Sequence, residues 1–345
     1  MANYQLKLTP VDSFFFGGEK HNEDLATNYF VESNLYPQQT TLLGLIRYYL
    51  LLKNPSVFNG KKITDHDKAA TIIGAASFDF DADSNEFGKI KSISPLYFVN
   101  DENVAYFFAP FDKEFKMGEA YQLLRDEKVY NTKDHYHLVA PYLSSANGDF
   151  KELSEIIFTD NQVGNEKAEK GETRDNKFYK QSSKRMTKGW SFCFDAELEE
   201  GSGVYNKDEV YIPFGGEKSF FKLEFTAKEK SNFILSEKYV RKVPFAFCFS
   251  DCFIDNPIFD GCSFAVNKYV SFRNLKSKVK ETLKYNRLSA SDGTQMLRSN
   301  RFNLLQRGSV LYFPNNENLI KFKKQIEAVT GYSIGFNHLL IQQSN

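Results

Sequence analysis

Two short stretches, far apart in the chain, carry the residues best suited to chemistry. Residues 34–47 lead an apolar helix out of a loop marked by Pro37, and residues 212–218 place Gly215 and Gly216 between two strand-like runs. Because glycine has no Cβ, its backbone can come close to another molecule. Neither stretch has the spacing of the phosphate-binding loop of nucleotide hydrolases or of a dinucleotide-binding loop. The pattern therefore favours a binding protein over an enzyme.

The first stretch predicts an amphipathic helix. Apolar residues recur at the helical period over residues 42–50, and Thr40 or Thr41 can cap the start of the helix. The same residues are also consistent with a plain capped core helix in which Gly44 allows close packing. In the same way, the second stretch is also consistent with a tight turn and nothing more.

A long charged segment separates two further strand-like runs. Residues 161–189 contain few aliphatic side chains, and between Glu166 and Lys188 eight basic residues oppose four acidic ones. The acidic residues crowd the first half of this segment and the basic residues the second. Excursions of this length are typical of functional loops or extended hairpins, although a solvated hairpin without a ligand also fits.

A second basic region is concealed by the neutral net charge of the chain. Residues 268–307 contain ten Lys and Arg residues against two acidic residues, whereas the whole chain carries 44 residues of each sign. The compensating acidic residues therefore lie elsewhere, and this region is predicted to face an acidic partner.

The composition narrows the class of protein. With 41% hydrophobic and 26% charged residues, the 345-residue chain is typical of soluble globular proteins and long enough for two cores. The four cysteines follow no zinc spacing, and Cys248 and Cys252 are predicted to be buried thiols. No apolar run approaches the roughly 18 residues that span a membrane, and residues 1–8 do not resemble a signal peptide. We expect a cytoplasmic protein that does not bind membranes.

Two groups of possible metal ligands do not make a convincing site. Asp79, Asp81 and Asp83 resemble the start of a calcium loop, but the glycine and closing glutamate of an EF-hand are out of register. His135 and His137 share one face of a strand and lack a third ligand. We therefore expect no metal and no cofactor.

The order of strands and helices predicts an α+β fold with mostly antiparallel sheets. Strand-like runs dominate both halves, and each half has one or two helices, which suits two ferredoxin-like split βαβ units. We expect an N-terminal domain over residues 1–205, with the charged segment as a protruding, thumb-like hairpin insertion. Residues 206–345 are expected to form a C-terminal domain that includes the basic region.

Four short patches, taken in order, resemble one family. They are residues 9–18 (TPVDSFFFGG), 36–47 (YPQQTTLLGLIR), 214–218 (FGGEK), and 306–313 (QRGSVLYF) followed by 331–336 (GYSIGF). The first two resemble the RAMP proteins of type III CRISPR effector complexes. The last two resemble motifs of the third subunit of the type III-B (Cmr) complex, and the match is spread over the whole chain.

This resemblance implies a function that spacing alone does not. Proteins of this family bind the 5′ repeat-derived tag of the CRISPR RNA, cap one end of a ribonucleoprotein in antiviral defence, and cut nothing themselves. The implied partners are the large polymerase-like subunit and the first backbone-forming RAMP subunit. The charged segment corresponds to a thumb-like hairpin that lies over the guide RNA.

On this interpretation the RNA is held by backbone amides, basic groups and stacking rings. Glycine turns admit phosphates, the positive end of the first helix attracts them, and an aromatic ring of the hairpin stacks on a base. The candidate RNA-binding residues are Gly17, Gly18, Lys20, His21, Thr40, Thr41, Arg47, Tyr179, Lys184, Arg185, Lys188, Gly215, Gly216 and Lys218.

Two alternatives stay open. Some relatives cut repeat RNA with a histidine near the first helix, and His21 occupies that neighbourhood, but no His–His or His–Tyr–Lys set accompanies it. The other alternative is a scaffold that contacts proteins only. For that scaffold, replacing the basic residues of the hairpin leaves RNA affinity unchanged.

Overall fold

The structure is a computed structural model of the chain. It describes residues 1–17, 28–82, 85–112, 116–117, 123–125, 128–129, 142–145, 148–167, 173–229, 242–254, 261–278 and 295–344. Of the sequence-based candidates, Gly18, Lys20, His21, Asp83, His135 and His137 lie outside these residues, and so does the side chain of Tyr179.

The first two thirds of the chain contain most of the strands. In order, the elements are β1 (Ala2–Pro10), β2 (Asn28–Glu32), α1 (Gln39–Leu52), α2 (His66–Ile73), β3 (Ile90–Ile93), β4 (Tyr97–Val99), β5 (Ala105–Phe108), β6 (Lys116–Met117), β7 (Leu123–Arg125), β8 (Lys128–Val129), β9 (Tyr142–Ser145), β10 (Phe150–Glu152), α3 (Leu153–Ile156), β11 (Ile157–Lys167), β12 (Thr173–Met186), β13 (Ser191–Leu198), β14 (Glu209–Pro213) and β15 (Phe220–Ala227).

The last third continues the mixed pattern. Its elements are β16 (Phe245–Cys248), β17 (Phe264–Val266), β18 (Tyr269–Phe272), β19 (Leu275–Lys278), β20 (Gln295–Arg298), β21 (Phe302–Leu305), β22 (Val310–Tyr312), α4 (Asn316–Glu327), a single 3₁₀ turn (Tyr332–Ile334) and β23 (Leu339–Gln342). The predicted α+β class with mostly antiparallel sheets is confirmed. Among the described residues, no helix is long and apolar enough to cross a membrane.

The largest sheet forms the centre of the molecule. Its strands lie in the order β10-β9-β5-β4-β13-β1-β15-β14, and β3 also pairs with β13. In the antiparallel register Leu6 of β1 lies opposite Phe194 and Phe225, and all three side chains are buried. Because side chains alternate along a strand, this register puts one apolar row across the middle of the sheet.

Helix α1 covers the buried face of this sheet. Its apolar residues recur every three or four positions, so one face packs inward. Tyr49 stacks on Phe225 at a ring-centroid distance of 4.5 Å and donates from its hydroxyl to Asp208, 2.7 Å away. The helix begins at Gln39 with Gln38 as its N-cap, and it ends before Pro55. Thr40 and Thr41 therefore lie inside the first turn, and the prediction that one of them caps the helix was wrong.

The central sheet continues past the predicted domain boundary at residue 205. The C-terminal domain expected over residues 206–345 includes strands β14 and β15. In the structure, β15 pairs with β1 along residues 221–227. This pairing makes residues 209–227 part of the first sheet. In the described residues, the strands from β16 onward form sheets of their own, of which the largest is β17-β22-β16-β23. Helix α4 covers this sheet through Leu319, Phe322 and Ile326. Within that sheet β16 is buried on both faces, and Cys248 and Cys252 are buried free thiols as predicted.

The charged segment forms the hairpin that its sequence predicts. Strands β11 and β12 pair antiparallel from Ile157 opposite Met186 to Lys167 opposite Thr173, with a register shift near the tip. Strand β2 pairs in parallel with β12 over residues 178–182. The hairpin is therefore continuous with the segment that leads into α1.

An aromatic cluster joins the two parts of the molecule, the N-terminal part up to β15 (residues 1–227) and the C-terminal part from β16 onward (residues 245–344). The ring of Phe80 is buried and lies in the loop between α2 and β3. Its centroid is 4.8–5.4 Å from those of Phe78, Phe253, Phe272, Phe302 and Phe336. Edge-to-face contacts of this kind add to the free energy gained by burying the rings.

Phe80→Ala is expected to lower the free energy of unfolding by about 3–5 kcal/mol, because it leaves a cavity between the two parts of the molecule. Urea denaturation followed by circular dichroism measures this loss. Tyr211→Ala is the matched control, since that ring is 62% exposed, and its effect should stay within about 0.5 kcal/mol. Equal effects of the two variants would contradict the role given to the cluster.

Candidate nucleic-acid interface

The turn at Gly215 and Gly216 packs against the residues that precede Gly17. The N–H of Gly216 donates to the carbonyl oxygen of Phe15 over 2.7 Å. Gly215 has a φ of +90°, and a Cβ on it would lie 2.6 Å from the same oxygen. Only glycine fits both constraints. The close approach at this turn is therefore made by the chain itself, and the amide of Gly216 already has an acceptor.

The residues before Gly17 are fixed by two further contacts. Phe14 exchanges backbone hydrogen bonds with Lys184 of β12, at 2.8 and 2.9 Å. The N–H of Phe16 donates to the side-chain oxygen of Ser33 over 2.8 Å. Gly17 itself is exposed, and among the described residues nothing lies within 4 Å of a Cβ built on it. Lys218 is also exposed, at the tip of the β14–β15 turn.

The hairpin base holds its cations in ion pairs. Lys184 is buried, and its ammonium lies 2.9 Å from a carboxylate oxygen of Glu32. Arg185 bridges Asp12 and Asp160 at 2.6 and 2.8 Å.

Lys188, at the turn after β12, is exposed. Of the three hairpin cations chosen from the sequence, the structure therefore presents Lys188 most openly to a ligand.

A cleft with a volume of about 350 Å³ opens at the start of α1. One wall is the first two turns of the helix, and the opposite wall comes from residues 77–78 and 273–274. Among the described residues that line it there are two arginines and no carboxylate; they are Gln38, Thr40, Thr41, Leu43, Gly44, Arg47, Ser77, Phe78, Arg273 and Asn274. Three of the predicted residues, Thr40, Thr41 and Arg47, thus meet in one place.

Arg47 brings a partly buried charge to this cleft. Its Nη2 donates to the carbonyl oxygen of Ala76 at 2.9 Å, and the guanidinium lies 5.6 Å from the ring centroid of Phe87. Its Nε is buried and has no hydrogen-bond partner among the described residues. Burial lowers the pKa of Arg47 to about 10, so the group is still charged at neutral pH. A buried charge with few compensating groups favours binding of an anion.

Arg273 supplies the second charge from the other part of the molecule. Its side chain is exposed, and its Nε donates to the carbonyl oxygen of Ser299 over 3.2 Å. Next to it, the side-chain amide of Asn274 donates from its Nδ2 to the carbonyl oxygen of Phe78 over 2.6 Å. Sequence analysis placed Arg273 in the basic region without singling it out, because nothing in the local pattern shows that it faces α1.

The start of α1 is open to an anion. Its N-cap, Gln38, makes no side-chain capping bond, and the first turn has no acidic residue. The partial positive charge of the helix end is therefore not offset by the helix itself.

Gln39 fixes this helix end in position, a role that sequence analysis missed. The side chain is fully buried, and its Nε2 donates to the carbonyl oxygens of Ser94 and Ile334 at 3.0 and 2.8 Å. Its Oε1 accepts from the N–H of Leu96 at 3.3 Å. The one sequence signal for this role is the glutamine pair at the start of the helix. One hydrogen-bond partner of Gln39, Ile334, lies 295 residues away in the sequence.

A buried ion pair lies behind the loop that leads into α1. Arg307 is fully buried, and its Nη2 and Nε bind the two carboxylate oxygens of Asp251 at 2.9 and 3.2 Å. The guanidinium lies 4.5 Å from the ring centroid of Tyr36 and 5.1 Å from that of Phe108. Desolvation of the Tyr36 hydroxyl, with a contribution from Asp251, raises its pKa to about 12. Arg307 thus belongs to the core and not to the basic surface in which its sequence position placed it.

Comparison with known proteins finds one family model that matches part of the chain. The model of the family described as CRISPR-associated protein (Cas_Cmr3) matches residues 6–155, which is less than half of the chain. No curated protein sequence matches it.

Two solved structures share the fold. The first is a chain of Type III-B Cmr-beta bound to cognate target RNA, at 14% identity, covering 98% of this chain and 99% of that one, with a TM-score of 0.51. The second is the same assembly bound to cognate target RNA and AMPPnP, at 15% identity, covering 97% and 96%, also with a TM-score of 0.51. At these identities the likeness shows the fold alone.

The part that matches this family includes α1 and its motif. Over residues 6–155 the chain is similar to the Cas_Cmr3 family, which agrees with the resemblance inferred from its motifs.

Asp251→Asn is expected to lower the free energy of unfolding by about 3–5 kcal/mol, because the guanidinium of Arg307 stays buried without its counter-charge. Chemical denaturation measures the loss. The matched control is Glu327→Gln, which removes an exposed pair with Lys323 at 3.6 Å and should cost less than about 0.5 kcal/mol. If Asp251→Asn is as stable as the control, the buried guanidinium of Arg307 does not depend on this counter-charge.

Proposed function

We propose that this chain is a non-catalytic, RNA-binding subunit of a type III-B CRISPR effector complex, and that it holds the 5′ tag of the CRISPR RNA. The observation that carries the proposal is the cleft at the start of α1. Its described lining has two arginines, an uncapped helix end and no carboxylate. The Cas_Cmr3 family match supports the CRISPR assignment, and the structures with the same fold belong to assemblies bound to target RNA.

The chemistry of the cleft suits a phosphodiester. A guanidinium can donate two parallel hydrogen bonds to a phosphate, and the N-terminus of a helix adds partial positive charge. Single-stranded RNA is commonly held by such backbone contacts together with exposed base edges and stacking. Lys188 and Lys218 are exposed and free to extend this contact beyond the cleft, whereas Lys184 and Arg185 already have carboxylate partners.

The lining also favours binding over cleavage. RNA hydrolysis needs a general base and acid with a pKa near the working pH. Among the described residues that line the cleft there is no histidine, carboxylate, lysine or tyrosine. Thr40 and Thr41 are weak acids, and Arg47 stays protonated at neutral pH.

In the assembly, the chain would dock against the large polymerase-like subunit on one side and the first backbone-forming RAMP subunit on the other. We also propose that each half of the chain is ferredoxin-like, as expected from the sequence, and that β14 and β15 extend the sheet of the first half. The hairpin of β11 and β12 would lie over the guide RNA as a thumb.

Arg273→Ala is expected to weaken binding of a fluorescent single-stranded tag RNA about tenfold, since it removes a charge-assisted contact to a phosphate. The plot of log affinity against log salt should become shallower by about 0.7 for each lost phosphate contact. Fluorescence anisotropy with the purified full chain measures both quantities. Lys61→Ala is the control, because Lys61 is exposed and does not line the cleft.

Three outcomes would contradict the proposal. An unchanged affinity for Arg273→Ala would exclude the cleft, and failure of the unaltered chain to bind tag RNA would favour the protein-only scaffold. Shortened RNA on a denaturing gel in metal-free buffer would favour the nuclease. Lys188→Ala tests the hairpin separately and should weaken binding with a similar change in salt dependence.

A further inference from the structure

Gly44 occupies a position in α1 that no contact within the described residues explains. It lies in the middle of the helix, it is exposed, and it lines the cleft. Among the described residues, nothing lies within 4 Å of a Cβ built on Gly44, and its backbone is not in the left-handed region. The expectation that this glycine allows close packing of the helix is therefore wrong for the described part of the chain.

At other positions of the chain the structure requires glycine, because a Cβ there would clash. A Cβ on Gly88 would lie 2.5 Å from the backbone of Ile72, and one on Gly308 would lie 2.3 Å from the ring of Phe111. Both residues also have a positive φ. Gly44 has neither constraint, yet glycine in a helix interior is less favourable than alanine. The helix thus carries an unfavourable residue for which the described part of the chain offers no packing reason.

The neighbours of Gly44 show what could use the space. Thr40 and Thr41 precede it by four and three residues, and Arg47 follows it by three, so all four residues share one face of α1. Arg273 faces this surface across the cleft. The open surface over Gly44 is therefore bounded by guanidinium groups from both parts of the molecule.

We infer that Gly44 is a ligand-contact residue, where the sugar–phosphate backbone of bound single-stranded RNA lies directly against helix α1. The inference rests on the proposed function and deepens it, because it sets how closely the RNA approaches the helix. A side chain at position 44 would occupy the volume between the two arginines. The RNA backbone could then no longer reach both guanidinium groups together.

The test is a graded series at one position. Gly44→Ala and Gly44→Gln both introduce good helix formers, so each should raise Tm by about 1–3 °C in thermal denaturation. In the same anisotropy assay with fluorescent tag RNA, Gly44→Ala should bind more weakly than the unaltered chain. Gly44→Gln should bind at least about tenfold more weakly. Opposite signs of the effects on stability and affinity are the signature of a ligand contact.

Gly261→Ala provides the matched control. A Cβ at Gly261 also meets nothing within 4 Å among the described residues, and Gly261 does not line the cleft. Its RNA affinity should equal that of the unaltered chain.

Each other outcome is decisive. A lower Tm for both variants at position 44 would mean that the chain itself packs there, and the inference would be overturned. If Arg273→Ala weakens binding but Gly44→Gln does not, the inference fails while the proposed function stands. If the unaltered chain does not bind the tag RNA, both fail.

Discussion

The ion pair between Arg307 and Asp251 is the contact on which the arrangement of this molecule depends. Both groups come from the C-terminal part, but the guanidinium stacks on Tyr36 and Phe108 of the N-terminal part. A buried guanidinium is costly unless a counter-charge balances it, and the Nη1 of Arg307 has no hydrogen-bond partner among the described residues. Asp251 supplies the balancing negative charge, and the rings of Tyr36 and Phe108 supply flat surfaces on which the guanidinium packs. Residues 35–38, which lead into α1, are thereby held against the C-terminal strands.

The geometry of the cleft depends on this arrangement. Gln39 bonds to Ser94 and Ile334, so the first turn of α1 is tied to both parts of the chain. Asn274 bonds to Phe78 on the opposite wall. Each wall therefore includes residues from one part that are positioned by hydrogen bonds from the other. A surface built in this way is preorganised, which would reduce the entropy lost on binding of the flexible RNA strand that we propose as its ligand.

The sequence predicted much of this fold because its local signals are strong. The alternation in β1, the helical period of α1 and the apolar run of β16 each identify their elements, and the motifs indicated the family whose model matches residues 6–155. The site was harder to predict, since its geometry arises from distant contacts. Arg273 and Arg307 look alike in sequence, yet one faces a cleft and the other is buried beside Asp251. Lys184 looked like a surface cation, but the pairing of β12 with Phe14 turns its side chain toward Glu32. Burial and counter-charges of this kind have no signature within a short window of sequence.

The division of the cleft between Arg47 and Arg273 also bears on how the protein is made. Ribosomes add residues at about 5–20 per second, and N-terminal segments fold first. The wall that carries Arg47 is therefore synthesised well before the strands that bring Arg273, and a chain that ends before residue 273 has only one of the two charges. The complete cleft needs both parts of the chain, so translation products that end before residue 273 lack the surface proposed to bind RNA.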